Sequence, residues 1–150
     1  MFRYAFAILF SIISSAAVAQ DRVYETASGQ ISAPVGLTVQ VRSLTVGDSL
    51  TKVDLIASFD GRASRLSADL NGNQNAYISW GPEEQERIYL RRVAENPQLT
   101  IENGQTMQGE LIFPGVIPAG VQQVELVFNP GFRFDHPRAP GINLPLELAE

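Results

Sequence analysis

The chain contains one histidine, His136, which is the only imidazole available for acid–base or metal chemistry. It lies in the segment Phe132-Arg133-Phe134-Asp135-His136-Pro137-Arg138. A serine–histidine–aspartate relay needs a carboxylate aimed at the imidazole, and direct adjacency to Asp135 does not provide that aim. The chain also lacks a Gly-x-Ser-x-Gly elbow for a nucleophile. We therefore expect a solvated loop histidine, no catalytic residues and no enzymatic activity.

Side chains with oxygen atoms alternate between Asp69 and Asn75, as they do in a calcium-binding loop. Asp69, Asn71 and Asn73 are the candidate ligands. However, the glycine stands at the fourth position of this loop rather than the sixth, and Trp80 occupies the place of the bidentate acid. Because Asn-Gly is a tight-turn dipeptide, we expect a hairpin turn, with a calcium site as the weaker alternative and no cofactor.

Charged residues crowd the segment after Trp80. Three glutamates precede three arginines there: Glu83, Glu84, Glu86, Arg87, Arg91 and Arg92. Paired carboxylates can perform acid–base chemistry when burial separates their pKa values. In such a charge-rich segment, weak surface ion pairs worth about 0–1 kcal/mol each are the expected alternative. The stretch from Pro82 to Arg87 is expected to connect two strands, with at most one helical turn.

A connection of about a dozen residues separates Phe128 from Ile142. Long loops without secondary structure of their own are often functional, and aromatic and arginine side chains are frequent binding anchors. The candidate binding residues are Phe132, Arg133, Phe134, His136 and Arg138. The alternative interpretation, which the need to close a core without disulfides favours, is that Phe132 and Phe134 pack over the end of the core as a lid or lengthen the preceding strand.

Alternation of apolar and polar residues dominates the rest of the chain and predicts the elements that position these segments. Residues that repeat at every second position share one face of a strand. Such sets occur at 37–41, 53–59, 66–70, 76–80, 88–90, 99–101, 107–113, 124–128 and 142–148. Turn dipeptides such as Asp60-Gly61 separate them. Short strands at this spacing predict an all-β, antiparallel β-sandwich of about seven to nine strands.

The last of these strands carries a positional prediction. Its apolar residues share one face, and Pro145 lies on the opposite face between Asn143 and Glu147. Proline has no N–H to give to a neighbouring strand. We therefore expect an edge strand at this position.

The first nineteen residues have the pattern of a secretory signal peptide. Arg3 precedes an apolar run from Tyr4 to Ile13, and Ala17 and Ala19 stand where signal peptidase needs small residues. The run is too short for a bilayer span, which takes about 20 residues. Cleavage near Ala19 removes Arg3 and no acid, so the net charge of −5 becomes −6. We expect an exported protein, either periplasmic or extracellular.

Three regions follow: 1–19 as the signal peptide, 20–34 as an N-terminal arm or a first edge strand, and 35–150 as the β-sandwich domain. The chain has no cysteine, which excludes disulfides and thiolate metal sites. The negative charge disfavours a nucleic-acid partner, and no later apolar run is long enough to span a membrane. The oligomeric state stays open.

The segment from Gly104 to Phe113 has the pattern Gly-x-x-x-x-Gly-x-Leu-x-Phe, and the strand-like segment 124–128 follows it. In these features the chain resembles bacterial extracytoplasmic immunoglobulin-like domains of the secreted-antigen kind, over about residues 31–148. The resemblance implies an immunoglobulin-like β-sandwich and, for most such domains, no established catalytic activity. The chain departs from many relatives in lacking a lipid-anchoring cysteine and a long linker, which puts a membrane-tethered role in doubt.

These expectations favour a non-enzymatic β-sandwich that binds another protein or a cell-envelope component through loops at one end. The alternative is a periplasmic inhibitor or immunity-type protein, because acidic charge suits a basic target enzyme. The Ser-Gly-x-x-Tyr loop of known lysozyme inhibitors is not matched, since Ser28-Gly29 is followed by Gln30, Ile31 and Ser32. A hydrolase ranks last, because no set of nucleophile, base and orienting group can be named.

Overall fold

The alternating segments fold into β-strands, which a computed structural model describes over residues 20–25, 29–62 and 67–149. The strands are β1 (Arg22–Glu25), β2 (Gln30–Ser32), β3 (Leu37–Val46), β4 (Leu50–Phe59), β5 (Ser67–Asp69), β6 (Tyr77–Trp80), β7 (Glu86–Tyr89), β8 (Thr100–Glu102), β9 (Thr106–Pro114), β10 (Gln123–Phe128) and β11 (Ile142–Glu147). A short 3₁₀ turn, Pro82–Glu84, connects β6 to β7. The all-β prediction is confirmed, with eleven strands in the described ranges rather than seven to nine.

The strands form two main sheets and one short ladder, all antiparallel. The five-stranded sheet has the order β1-β3-β4-β9, and β2 also pairs with β3. The four-stranded sheet has the order β11-β10-β6-β7, and β5 pairs with β8 in the ladder. Apolar side chains from both main sheets belong to one buried cluster. This arrangement is an open β-sandwich whose core lies between the two sheets.

Two of the sequence predictions concern residues outside the described ranges. The predicted signal peptide, residues 1–19, and the strand position of Leu66 both fall there. The described part of segment 20–34 contains β1 and β2, which pair with β3 and bury Tyr24. Among the described residues, no helix is long and apolar enough to cross a membrane.

A β-bulge at Arg42 changes which alternate residues of β3 face the core. Leu37 to Val41 alternate into the core at odd positions, whereas Leu44 and Val46 do so at even positions. The register with β4 shifts between Val41 and Ser43, so Arg42 is the extra residue. Its guanidinium lies outside the core and pairs with the Asp54 carboxylate at 2.6 Å.

The edge position predicted from Pro145 is confirmed. β11 ends the four-stranded sheet and is paired with β10. Leu148 donates its N–H to the carbonyl of Gln122 at 2.8 Å. Because N–H groups along a strand point alternately to its two sides, the nitrogen of Pro145 points away from β10. No ladder hydrogen bond to β10 is lost at the proline.

Gly36 turns the chain between Ala33 and β3 in a conformation that only glycine adopts without strain. Its φ is +97°, and a Cβ there would lie 2.1 Å from the carbonyl oxygen of Asp60. Gly120 also has a left-handed φ, +88°, but a Cβ there would meet nothing within 4 Å. Alanine substitutions at the two positions therefore allow the cost of the left-handed conformation to be measured apart from the cost of a backbone clash.

We predict that Gly120→Ala lowers the free energy of unfolding by about 1–2 kcal/mol, the cost of a left-handed alanine. Gly36→Ala should lower it by about 3–5 kcal/mol, because the clash with Asp60 adds to that cost. Urea denaturation followed by circular dichroism measures both values. Equal losses in the two variants would show that the Asp60 backbone yields without cost.

Candidate functional site

The connection between β10 and β11, residues 129–141, is the long loop that the sequence singles out. Three backbone hydrogen bonds within it fix its path: Phe132 N–H to Asn129 C=O at 3.1 Å, His136 N–H to Arg133 C=O at 3.0 Å, and Gly141 N–H to Arg133 C=O at 2.9 Å. A Cβ on Gly141 would lie 2.0 Å from the carbonyl oxygen of Phe132. The loop therefore folds back on itself at a point where only glycine fits.

Asn129 anchors the base of this loop. Its side chain is fully buried, and its backbone has a left-handed φ of +49°. The Nδ2 group donates to the carbonyls of Asp69 at 2.8 Å and Pro140 at 3.0 Å, and Oδ1 accepts the N–H of Gly72 at 2.8 Å. One amide thus joins the start of the loop, its end and the neighbouring turn at residues 69–74.

That turn contains the weaker calcium candidates, Asp69, Asn71 and Asn73, and protein groups already occupy several of their polar atoms. Asp69 Oδ1 accepts from Thr100 Oγ1 at 2.7 Å, and Asn71 Oδ1 accepts the N–H of Ala76 at 3.2 Å. Asn73 donates its Nδ2 to the carbonyl of Pro130 at 2.9 Å. These contacts give the segment a supporting role for the 129–141 loop.

The Asn71-Gly72 dipeptide forms a turn, closed by the N–H of Gln74 on the carbonyl of Asn71 at 3.0 Å. The turn does not join paired strands, because β5 pairs with β8 and β6 pairs with β7 and β10. The hairpin expected here is therefore wrong. Asn71 is nearly fully buried, and its Nδ2 donates to the carbonyl of Pro97 at 2.9 Å, so it ties the turn to the segment before β8.

Phe132 and Phe134 project from the loop, and each is 41% exposed. They do not belong to the buried apolar cluster, so the core lid considered from the sequence is not formed. Phe132 stacks on the His136 ring, with the ring centroids 4.8 Å apart and the planes 20° apart. The histidine thus supports one face of an exposed phenyl ring.

His136 and its acidic neighbour have separate partners. The imidazole Nδ1 accepts the N–H of Ala139 at 3.0 Å, which places the proton of the neutral ring on Nε2. The Asp135 carboxylate binds Arg133 at 2.6 Å. Asp135 therefore holds an arginine rather than orienting the imidazole, and Arg138 faces Asp69 at 3.8 Å.

A groove of about 370 Å³ lies beside the loop, and we call it the aromatic groove. Its lining comprises Ile31, Asn129, Gly131, Phe132, Phe134, Gly141 and Asn143. The structure thus brings the two phenylalanines together with β2 and β11. Arg133, His136 and Arg138 lie outside this lining and instead fix or flank the loop. Phenyl rings and an isoleucine beside two amides suit a partner's apolar or aromatic side chain.

A second polar feature, on the outer face of the four-stranded sheet, is one that sequence reasoning missed. Glu125 on β10 lies against Glu84 of the 3₁₀ turn. Burial raises the pKa of the Glu125 carboxyl to about 7, and the hydrogen bond and charge of Glu84 add to this rise, while a hydrogen bond from Asn143 opposes it. The Glu125 carboxyl therefore keeps its proton up to about neutral pH.

The expected ion pairs between the glutamates and arginines after Trp80 are not among those of the described residues. Arg87 instead lies over the Tyr77 ring, 4.4 Å from its centroid, and donates its Nε to the backbone carbonyl of Glu84 at 3.1 Å. Alternation does place Glu125 on the outer face. Its pairing with Glu84 depends on the β6–β10 register, for which the sequence carries no local signal.

We predict that Asn129→Gly, which keeps the left-handed backbone at no steric cost, lowers the free energy of unfolding by about 2–5 kcal/mol. Three backbone groups lose their partner, and each unsatisfied group costs about 1–3 kcal/mol before water enters. Asn73→Ala removes one bond and should cost less. Hydrogen exchange at the Gly72 amide provides the local measurement, and unchanged protection in Asn129→Gly would contradict the anchoring role.

The Glu84–Glu125 pair predicts a pH-dependent difference in stability. Because the folded-state pKa of Glu125 is about 7 against 4.5 for the free group, the folded state binds the extra proton between these values. Its contribution is present below pH 4.5 and is lost as the pH rises through 7. Glu125→Gln should therefore raise the thermal midpoint relative to wild type at pH 8 and leave it nearly equal at pH 4.

Thermal scans at several pH values measure this difference, with Glu84→Gln as the matched variant that removes the partner charge. Glu84→Gln should also flatten the wild-type decline between pH 4.5 and 7. If the thermal midpoint of Glu125→Gln changed with pH in the same way as that of wild type at all pH values, the contact between the two carboxyl groups would be refuted.

Comparison with protein-family models, with curated proteins and with solved structures gives no match for this chain. Any functional proposal therefore rests on the structural features of the chain itself.

Proposed function

We propose that this β-sandwich is an exported, immunoglobulin-like binding module without enzymatic activity, which captures a protein of the cell envelope through the aromatic groove. The observation that carries the proposal is the presence of two half-exposed phenyl rings, Phe132 and Phe134, on a loop whose shape is fixed by hydrogen bonds. Aromatic side chains held in this way are typical anchors of protein interfaces.

The fixed shape of the loop favours binding because little conformational entropy is lost when a partner docks. Asn129 fixes the base, the turn at Gly141 closes the loop, and His136 supports the Phe132 ring. A flexible loop would have to order both rings at the moment of binding. In this loop both rings are already ordered in the folded protein, so the entropy of ordering them is not lost on binding.

Charged residues of the 129–141 loop, which lie outside the lining of the groove, are proposed as its polar rim. Arg133, whose side chain is 82% exposed, pairs with Asp135, and Arg138 faces Asp69. Rim charges of this kind influence the association rate and the choice of partner more than the affinity. The apolar centre with a charged rim is the usual arrangement of a protein-binding surface.

The same geometry supports a binding role over hydrolysis. The groove is lined by phenyl rings, glycines, an isoleucine and two amides, none of which is a general base. The one histidine has its Nδ1 occupied by a backbone N–H, and its neighbouring carboxylate is held by Arg133. These side chains can fix a partner, but as arranged they do not activate a nucleophile.

A photoreactive phenylalanine at position 134 tests the proposal in cells that express the full chain. We expect a covalent adduct with one envelope protein from position 134. The same probe at Tyr89, an exposed ring on β7 (49%), should give none and serves as the control. Adducts from both positions alike would indicate non-specific contact and contradict a specific groove.

The double variant Phe132→Ala, Phe134→Ala provides the affinity measurement once the partner is purified. The Kd of this variant should rise at least tenfold, because truncating an anchor side chain typically costs about 2 kcal/mol of binding free energy. The thermal midpoint should stay within about 4 °C of wild type, since both rings lie outside the core. An unchanged Kd would refute the groove as the binding surface.

A further inference from the structure

β9 forms one edge of the five-stranded sheet, and part of this edge has no neighbouring strand. The backbone groups of β9 point alternately toward β4 and away from the sheet. Ile112 faces away, because its carbonyl accepts the N–H of Arg91 at 2.8 Å. By the same alternation Thr106, Gln108 and Glu110 also face away. Within the described ranges, no hydrogen bond satisfies the outward backbone groups of these three residues.

This free section of β9, residues 106–110, is open to solvent. Four of its five residues are exposed, and only Met107 is half-buried. Sheet edges are normally protected from pairing by proline, by lysine or by a covering segment. β11 carries Pro145 at its edge, whereas the sequence Thr-Met-Gln-Gly-Glu of the free section contains neither proline nor lysine. The free section is therefore able to pair with another strand.

The core-facing side of the same section has a gap at Gly109. This glycine lies opposite Leu55, whose side chain is fully buried, so position 109 faces the core. A Cβ on Gly109 would meet nothing within 4 Å, and a cavity of about 250 Å³ opens beside it. Val93, Leu99 and Met107 contribute apolar side chains to its lining. We call this cavity the Gly109 notch.

The length of the free section determines the register in which two copies of it can pair. A two-fold antiparallel pair uses all three outward-facing residues only when Gln108 lies opposite Gln108 of a second copy. Thr106 of each copy then lies opposite Glu110 of the other, so no like charges are directly opposed. A pair centred on Glu110 would oppose two carboxylates and would need Ile112, whose carbonyl is already bonded to Arg91.

We propose that residues 106–110 of β9 pair with the same residues of a second copy of the chain, which joins the two five-stranded sheets edge to edge. In this register Met107 of each copy lies directly opposite Gly109 of the other, on the core-facing side. Methionine is unbranched and flexible, and it fills irregular apolar gaps. Each copy therefore supplies the side chain that the Gly109 notch of the other lacks, as a two-fold interface requires.

The presence of Met107 and Gly109 in one section favours a second copy over an unrelated strand, since self-pairing by itself matches a side chain to the notch. The notch and the aromatic groove share no lining residue, so the two proposals are independent. Five residues from each strand bury less than the roughly 800 Å² per partner of a standard interface. We therefore expect a weak, reversible dimer.

The absence of native cysteine allows a direct test of the register. Gln108→Cys places one thiol of each copy at the two-fold axis, with Cα atoms about 5.5 Å apart, which a disulfide can bridge. Oxidation of this variant, purified from cells that express the full chain, should give a disulfide-linked dimer. Thr106→Cys is the matched control, because its two copies lie about 13 Å apart along the strands and should not cross-link. A mixture of Thr106→Cys and Glu110→Cys should cross-link.

Sedimentation equilibrium at protein concentrations up to about 1 mM measures the dimer Kd. Gln108→Pro removes the central outward N–H and leaves the ladder with β4 intact. It should raise the dimer Kd about tenfold or more, because two hydrogen bonds between the copies are lost. Gln108→Ala keeps the N–H, so its Kd should stay within about threefold of wild type. Circular dichroism checks that each variant is folded.

A wild-type protein that stays monomeric up to about 1 mM would overturn the proposal. Equal Kd values for the folded proline and alanine variants would do the same. If the proline variant does not fold, the cysteine variants decide, and disulfide formation by Thr106→Cys alone as fast as by Gln108→Cys would contradict the register. These outcomes do not depend on the cross-linking at position 134.

Discussion

Burial of alternate residues along β10 is the constraint on which both the aromatic groove and the carboxyl pair depend. Val124, Leu126 and Phe128 must face the core, because the chain has no cysteine and gains its stability from packing. Their burial sends Glu125 to the outer face, where β6 and the 3₁₀ turn supply its neighbours. It also fixes where β10 ends, and Asn129 follows at that point. A slip of one residue would exchange the two faces and remove both features.

In the 129–141 loop, one buried amide side chain fixes a backbone path that regular secondary structure would otherwise fix. Asn129 makes three hydrogen bonds to backbone groups on two segments, so a loop without regular structure gains a defined path. The exposed phenyl rings contribute little to the core. Their exposure is tolerated because the loop around them satisfies its own backbone groups, and it leaves apolar surface free for a partner.

Sequence periodicity was sufficient to predict most strands and the edge position of β11. Where it failed, the missing information was long-range. The bulge at Arg42 depends on the register with β4, and the Asn71-Gly72 turn failed as a hairpin because β5 pairs with a strand 31 residues later in the Asp69↔Thr100 register. For the same reason, the predicted glutamate–arginine ion pairs were wrong. Local charge spacing does not reveal a partner such as Glu125.

The energetic cost of both features lies at positions that the core does not require. Asn129, Glu83 and Glu84 are non-glycine residues with left-handed φ, a conformation that costs about 1–3 kcal/mol each when it is strained. Ser79, which lies opposite Glu125 on β6, adds an unsatisfied buried hydroxyl. Packing of the sandwich alone would favour glycine at the turn and an apolar residue in place of Ser79. These residues reduce stability and border the groove or the carboxyl pair, and strained residues that persist in a fold cluster at functional sites.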